Sequence, residues 1–245
     1  MTIKHICWPE LNNGSLGEKC FSIHVESDME KYRYDTFSSK EPETIEWIKS
    51  FTDGDVFFDI GANIGVYSLY AASLFPNSKI GAFEADPNNC YRLTENVLLN
   101  SLNGRVVPVC ALLSDRYSRA KFKPVSDEIG ASGGQVEFCD TGINYTQTID
   151  DIVDYSFDFP SPQHVKIDID GQEYLVLRGM KNTVKYIKSA LIEVSSRTVK
   201  PVIEMMVEAG FTTENRFNDS SPHSRDRRRI EKIDAENIVF TRRDK

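Results

Sequence analysis

Asp55–Gly65 reads DVFFDIGANIG. Asp55–Ile60 is a short apolar run of the kind carried by a strand buried on both faces. Gly61-Ala62-Asn63-Ile64-Gly65 follows, and Val66–Phe75 continues as an apolar helix that stops at Pro76-Asn77. The form is D-x-G-x-N-x-G, set between a strand and a helix. Glycine at 61 and 65 lets backbone approach a ligand closely. The helix start offers free N–H groups to an anion. The loop is not G-x-G-x-x-G, because Asn63 takes the place of that pattern's second glycine, and no G-K-[ST] is present. A dinucleotide site is therefore disfavoured and a phosphate-cradling NTPase is excluded on motif grounds.

Outward from this loop, strand and helix patterns alternate. Lys79–Glu84 is a second buried strand, Asp86-Pro87 opens a helix running to about Asn100, and Arg105–Leu112 is a third strand. The middle, Arg119 to Asp140, reads as a β excursion or a loop broken by Gly130, Gly133 and Gly134. Thr148–Tyr155 is a short helix and Phe157–Pro162 a turn. Strands are expected at His164–Ile169 and Ala190–Val194, and helices at Glu173–Met180 and Lys200–Ala209. Phe211–Arg216 and Asn237–Thr241 fit a closing antiparallel pair. Upstream, Glu43–Phe51 puts Ile45, Trp47 and Ile48 on one helical face. The first 35 or so residues read as irregular, with a turn at Asn12-Asn13-Gly14-Ser15 between two segments able to pair as a hairpin, Ile3–Trp8 and Cys20–Val25. The expected organisation is an N-terminal extension over 1–40 and one α/β domain over 41–245. Its sheet is mostly parallel, with helices on both faces.

Lysine and arginine number 29 against 37 acids, a formal charge of −8, which disfavours a broad nucleic-acid face. No run approaches the roughly 20 apolar residues of a membrane span. The five cysteines, Cys7, Cys20, Cys90, Cys110 and Cys139, are odd in number and lack a C-x-x-C pair. Neither a zinc site nor a disulfide framework is expected. With no secretory leader pattern at the N-terminus, the reading is a soluble, reduced, cytoplasmic chain. In a doubly wound sheet the ligand crevice lies at the carboxyl ends of the strands. Glu84, ending the second strand, is placed there to accept hydrogen bonds from both hydroxyls of a ribose.

The ordered blocks DVFFDIGANIG, AFEADPNN, TIDDI, VKIDIDGQEYLVLRGM and LIEV resemble the FkbM-type methyltransferases over residues 35 to 241. The family usually carries Glu where this chain has Asp170, a shorter acid of the same charge. The resemblance implies a class I methyltransferase (Rossmann-like) α/β fold, with a seven-stranded sheet whose last strand is antiparallel, and S-adenosyl-L-methionine as cofactor. It implies that Asp59, Gly61, Ala62, Asn63 and Gly65 line the methionine part of the cofactor. Glu84 would hold the ribose, Ala85 would flank the adenosine, and Ala111 would sit near the adenine. A Glu similar to Glu41 often precedes this loop in the family; on residue chemistry alone Glu41 reads as an acid favoured at a helix N-terminus.

The catalytic candidates lie in His164–Glu173, HVKIDIDGQE. Asp168 ends a strand at the crevice and is the candidate base. Glu193 ends the neighbouring strand, and Lys166 shares Asp168's face by strand period. Clustered acids raise one pKa, which suits a base. Asp170 and Glu173 read as acceptor-binding acids or as helix caps. Such acids also suit magnesium or calcium, but no spacing demands a metal and none is expected. Arg225, Arg227, Arg228 and Arg229 form a basic run in an acidic chain. Arg225 and Arg228 are candidates to meet the phosphate of a nucleotide-linked sugar, the alternative being a solvated loop. Tyr155, Phe157 and Phe159 are candidates to wall an acceptor pocket. The expected reaction is O-methylation of a hydroxyl on a sugar, glycan precursor or secondary metabolite. The alternatives are N-methylation, methylation of a phosphate-derived group on a carbohydrate, or a nucleotide-cofactor oxidoreductase on a related fold. The expected partner is a small-molecule or glycan acceptor, with no nucleic acid.

Overall fold

Thr2–Asn12 (β1) and Ser15–Val25 (β2) pair as an antiparallel hairpin. Helices Asp28–Lys40 (α1) and Pro42–Lys49 (α2) lead into Val56–Ile60 (β3). Val66–Leu74 (α3), Lys79–Glu84 (β4), Pro87–Leu99 (α4) and Val106–Cys110 (β5) continue the alternation. A small sheet follows from Leu112–Leu113 (β6), Ser118–Pro124 (β7), Gly134–Phe138 (β8) and Asn144–Gln147 (β9). The chain then runs through Ile149–Tyr155 (α5), His164–Ile167 (β10), Glu173–Arg178 (α6), Ser189–Ser195 (β11), Val199–Glu208 (α7), Phe211–Arg216 (β12) and Ala235–Arg242 (β13). This is a computed structural model that describes residues 2–12, 15–155, 160–216 and 235–243. The expected tip of the first turn (Asn13, Gly14), the aromatic candidates Phe157 and Phe159, and the whole arginine run including Arg225 and Arg228 lie outside the described residues.

The main sheet has seven strands in the order β5-β4-β3-β10-β11-β13-β12. The pairs β5-β4, β4-β3, β3-β10 and β10-β11 are parallel, and β13 runs antiparallel to both its neighbours. This is the Rossmann-like class I methyltransferase topology, with the last strand reversed. Strand period 2 sends alternate side chains to opposite layers. Phe57 joins the apolar layer under α2 and α3, while Phe58 and Ile60 join the layer under α6 and α7. Both layers exclude water, which is why Val56, Phe57, Phe58 and Ile60 are apolar toward either face, with Asp59 the one buried acid in the strand. Each fully buried Phe contributes about 1.5–3 kcal/mol.

Three expectations change. Residues 2–12 and 15–25 are not irregular but two long strands, paired as the hairpin that Ile3–Trp8 and Cys20–Val25 are expected to form, and α1 follows, a helix hidden in the sequence because it carries almost no apolar face. Its buried residues are Glu30 and Phe37. The third strand splits after Cys110, leaving Leu112–Leu113 to pair with β9 in the small sheet. Finally, Cys7 and Cys20 form a disulfide, with Cα atoms 4.2 Å apart. They are direct partners across β1 and β2. The hairpin register brings together two cysteines that the sequence separates by 13 residues, so the expectation of fully reduced thiols fails at this pair. Cys90, Cys110 and Cys139 remain free. Among the described residues no helix is long and apolar enough to cross a membrane.

Candidate active site

A cavity of about 590 Å³ opens where the strands of the main sheet end, within the roughly 300–1,000 Å³ of small-molecule sites. Gly61 and Asn63 line it from the loop after β3, Glu84 and Ala85 from the end of β4, and Ala111 from the end of β5. Asp168 and Asp170 line it after β10, and Glu193 near the end of β11. Asp59, Ala62, Gly65, Lys166 and Glu173 do not line it. Asp59 and Lys166 lie buried behind the wall. Glu173 is buried, and its carboxylate accepts from the Gly171 N–H at 2.7 Å, bracing the turn ahead of α6.

The loop after β3 is shaped by three left-handed residues, Gly61 (φ 83°), Asn63 (φ 52°) and Gly65 (φ 90°). The N–H groups of Gly61 and Ala62 both donate to the Phe83 carbonyl at 2.9 Å. A Cβ on Gly61 would stand 1.9 Å from the Asp168 carbonyl oxygen. Glycine at 61 thus answers first to the joint between β3 and β10. Asn63 tolerates the left-handed region better than most residues. Its backbone N–H donates to Glu84 Oε2 at 2.7 Å, and its side-chain Nδ2 donates to the Ala131 carbonyl at 2.7 Å. Glu84 Oε1 accepts from the Asp86 N–H at 2.8 Å. Burial pushes the Glu84 carboxyl up, partly offset by these N–H donors.

Behind the wall lies a chain of charges. Lys166 is 1% exposed and donates to Asp168 Oδ2 at 2.6 Å, with its ammonium 5.3 Å from the Tyr67 ring centre. Burial opposes the Lys166 charge, but Asp168, Glu41 and Asp59 outweigh it and hold its pKa above the ordinary lysine value. Burial likewise opposes the Asp168 charge, and Lys166 reverses that, so Asp168 is held below its ordinary range. Glu193 goes the other way: the Asp168 charge, aided by burial, pushes it up to about 9. Asp170 is also raised, by burial and then by Asp168. The cluster therefore raises Glu193 most and Asp170 with it, while Asp168 is lowered. Asp59 is raised by burial, and its Oδ2 accepts from Ser68 Oγ at 2.7 Å.

Glu41 is not a dipole-compensating surface acid. It makes no side-chain cap bond to α2. Its buried carboxylate accepts from Lys40 Nζ at 2.5 Å and from the Tyr67 hydroxyl at 3.1 Å. Burial would raise it, but Lys40 and Lys166 hold it well below the usual carboxylate range. Residue chemistry without a fold cannot see this, since the partners lie on three different elements. The same holds for Arg33 and Lys40 of α1, which line the crevice, and for its roof. The roof is the 125–134 stretch, the connection between β7 and β8 together with the first residue of β8. It is tied to the loop after β3 through Asn63, to α4 through Asn89, whose Oδ1 accepts from the Gly130 N–H at 2.7 Å, and to α1 through Ser27, whose Oγ donates to the Ile129 carbonyl at 2.6 Å. The only trace of it in the sequence is the cluster of glycines at 130, 133 and 134. Tyr155 is 79% exposed and does not line the crevice.

Residues 59–213 match the methyltransferase FkbM domain. The hexuronic acid methyltransferase AglP of Haloferax volcanii is 29% identical over 163 residues, covering 66% of this chain and 65% of that protein. Methyltransferase 1 of Beauveria bassiana is 25% identical over 157 residues, 54% of this chain and 61% of that protein. The chain thus spans somewhat under two thirds of the length of these relatives. Among solved structures, a precorrin-6y C5,15-methyltransferase from Geobacter metallireducens superposes with TM-score 0.51 at 15% identity, covering 84% of this chain and 90% of that one. A putative rRNA-methylase from Clostridium thermocellum gives 0.51 at 12%, covering 84% and 97%. At such identities these two establish the shared fold alone. The match over 59–213, on a reversed-last-strand sheet with its crevice at the strand ends, assigns this chain to the FkbM family of S-adenosylmethionine-dependent methyltransferases.

Proposed function

We propose that this chain methylates a hydroxyl group of a sugar or glycan precursor. The observation that carries the reading is the Asp168–Glu193 pair on the crevice wall, one carboxyl held ionised by Lys166 and its neighbour pushed up to about 9. A hydroxyl is a poor nucleophile until its proton has somewhere to go, and a positioned base supplies typically 10²–10⁴-fold. Asp168 Oδ2 is taken by Lys166, which leaves Oδ1 to accept that proton. Glu193, protonated at neutral pH, donates a hydrogen bond to the acceptor. Sugar as the acceptor class is supported by the similarity to a hexuronic acid methyltransferase.

The cofactor fits the donor set of the crevice. Glu84 lines the wall at the end of β4 with each oxygen bonded to one N–H. A carboxylate has about four lone-pair sites, so Glu84 keeps capacity to accept from a ribose hydroxyl. Ala85 and Ala111 supply small apolar surface on the same side for a base. S-adenosylmethionine brings a sulfonium methyl with a good leaving group. The chain's own part is to hold the acceptor in line, which in good cases supplies about 7–11 kcal/mol, and to exclude water beneath the 125–134 roof. Asp170 joins this acceptor side, and Arg225 and Arg228 are proposed to meet a phosphate if the acceptor is nucleotide-linked.

Calorimetric titration with S-adenosylhomocysteine, with NADH as control, tests the cofactor. Release of S-adenosylhomocysteine from S-adenosylmethionine in the presence of nucleotide sugars and free hexuronic acids tests the acceptor. Micromolar binding with sugar-dependent release is expected. Binding with no release on any sugar would overturn the acceptor class.

A further inference from the structure

We propose that Arg33 forms a seat for a carboxylate or phosphate inside the crevice. The crevice is acidic: Glu41, Glu84, Asp86, Asp168, Asp170 and Glu193 all line it, against two cations, Arg33 and Lys40. Lys40 is committed to Glu41 at 2.5 Å. Arg33 has no acidic partner among the described residues. Its Nε donates to the Gly130 carbonyl of the roof at 2.5 Å. That bond fixes the fork and leaves the two terminal nitrogens for a ligand. A guanidinium so oriented matches the planar, two-oxygen geometry of a carboxylate or phosphate. Asp168 and Glu41, both held ionised, disfavour an anion beside them, and Arg33 offers the crevice's one cation without an acidic partner among the described residues.

Two molecules would bring such a group, both resting on the methyl-transfer reading above: the amino-acid end of the cofactor, or an acidic sugar. The Arg33→Gln variant separates them. Its thermal midpoint is measured first, and Arg33→Lys, which keeps the charge, serves as the milder change. S-adenosylhomocysteine and 5′-methylthioadenosine, which lacks the carboxylate, are titrated against wild type and both variants. If the seat takes the cofactor, Arg33→Gln weakens the first by roughly ten- to hundredfold and leaves the second unchanged, with Arg33→Lys in between. If it takes the acceptor, neither nucleoside changes, and KM rises by a similar factor for a hexuronic acid or sugar phosphate but not for a neutral sugar. Equal weakening of both nucleosides, or no change in any of these, overturns the proposal. Wild-type binding of 5′-methylthioadenosine stands apart as the check on the cofactor reading itself.

Discussion

Asp168 and Glu193 sit in equivalent places at neighbouring strand ends, yet take opposite protonation states near neutrality. Lys166 bonds one of them and not the other, and two nearby carboxyls do not both ionise cheaply. A pH dependence follows with a definite sign. Glu193 has an ordinary value of 4.5 and a folded value of about 9. Between these, folding takes up a proton, at a cost that grows as pH rises through the window. Glu193→Gln removes that cost, so it should raise the thermal midpoint at pH 7 to 8 and leave it nearly unchanged at pH 4. In turnover, Asp168→Asn should lower kcat by about 10²–10⁴-fold when measured at a temperature where the variant is folded, since it also removes the closest counter-charge of buried Lys166. Glu193→Gln preserves a neutral donor and should keep most of the pH 7 rate while losing the wild type's alkaline fall near 9. A Glu193→Gln loss as deep as that of Asp168→Asn would assign the base to the wrong carboxyl.

The elements that were legible are those whose burial is written into a local pattern. β3, β4, β10 and β11 are covered on both faces and read as apolar runs. α2 and α4 show apolar periodicity with Pro at the start. Glu84, Asp168, Asp170 and Glu193 were legible as crevice residues because the strand ends define the crevice. α1 was not, since its place in the fold rests on buried charge rather than an apolar stripe. The roof was not, since it is held through its own backbone carbonyls and the Gly130 N–H, groups that any residue but proline supplies. Gly61 was legible as necessary, but the reason lay elsewhere: the nearest atoms to a Cβ belong to Asp168 and Ile169, not to open crevice. Gly61→Ala should therefore destabilise the fold by about 2–4 kcal/mol through the forced backbone shift and the left-handed φ. Urea unfolding measures it. Unchanged stability with lost S-adenosylhomocysteine binding would return the glycine to a ligand-contact role.

At the scale of the whole molecule, the N-terminal elements join the main sheet's helices in two ways: aromatic packing on α3, where Trp8 and Phe37 meet Tyr70, and hydrogen bonds to α4. The Ser22 N–H donates to Asn100 Oδ1 at 2.7 Å and the His24 N–H to Asn96 Oδ1 at 2.8 Å, so the side chains of Asn96 in α4 and of Asn100 at its end bond backbone groups of β2. Beside them Arg92, 2% exposed, pairs with Glu30 at 2.7 Å, Glu26 at 2.5 Å and Glu95 at 3.2 Å. Glu30 is fully buried, and its other oxygen accepts from the N–H groups of Glu26 and Ser27, forming the cap of α1. One guanidinium thus neutralises the acid that starts the helix carrying Arg33 and Lys40 to the crevice. Removing one partner of a buried pair costs about 3–5 kcal/mol, because the other charge is left uncompensated, whereas replacing both with apolar groups is often neutral. Arg92→Leu should lose stability on that scale in urea, and Arg92→Leu combined with Glu30→Leu should recover part of it, short of full recovery because the cap of α1 is gone as well. The double variant should also bind S-adenosylhomocysteine more weakly than its stability predicts, since the start of α1 is no longer pinned beneath Arg33. If the double variant matches wild type in binding, α1 is positioned by its other contacts, the roof and the packing of Phe37 against Phe21 and Tyr70, and the charge cluster at Arg92 serves stability without reaching the crevice.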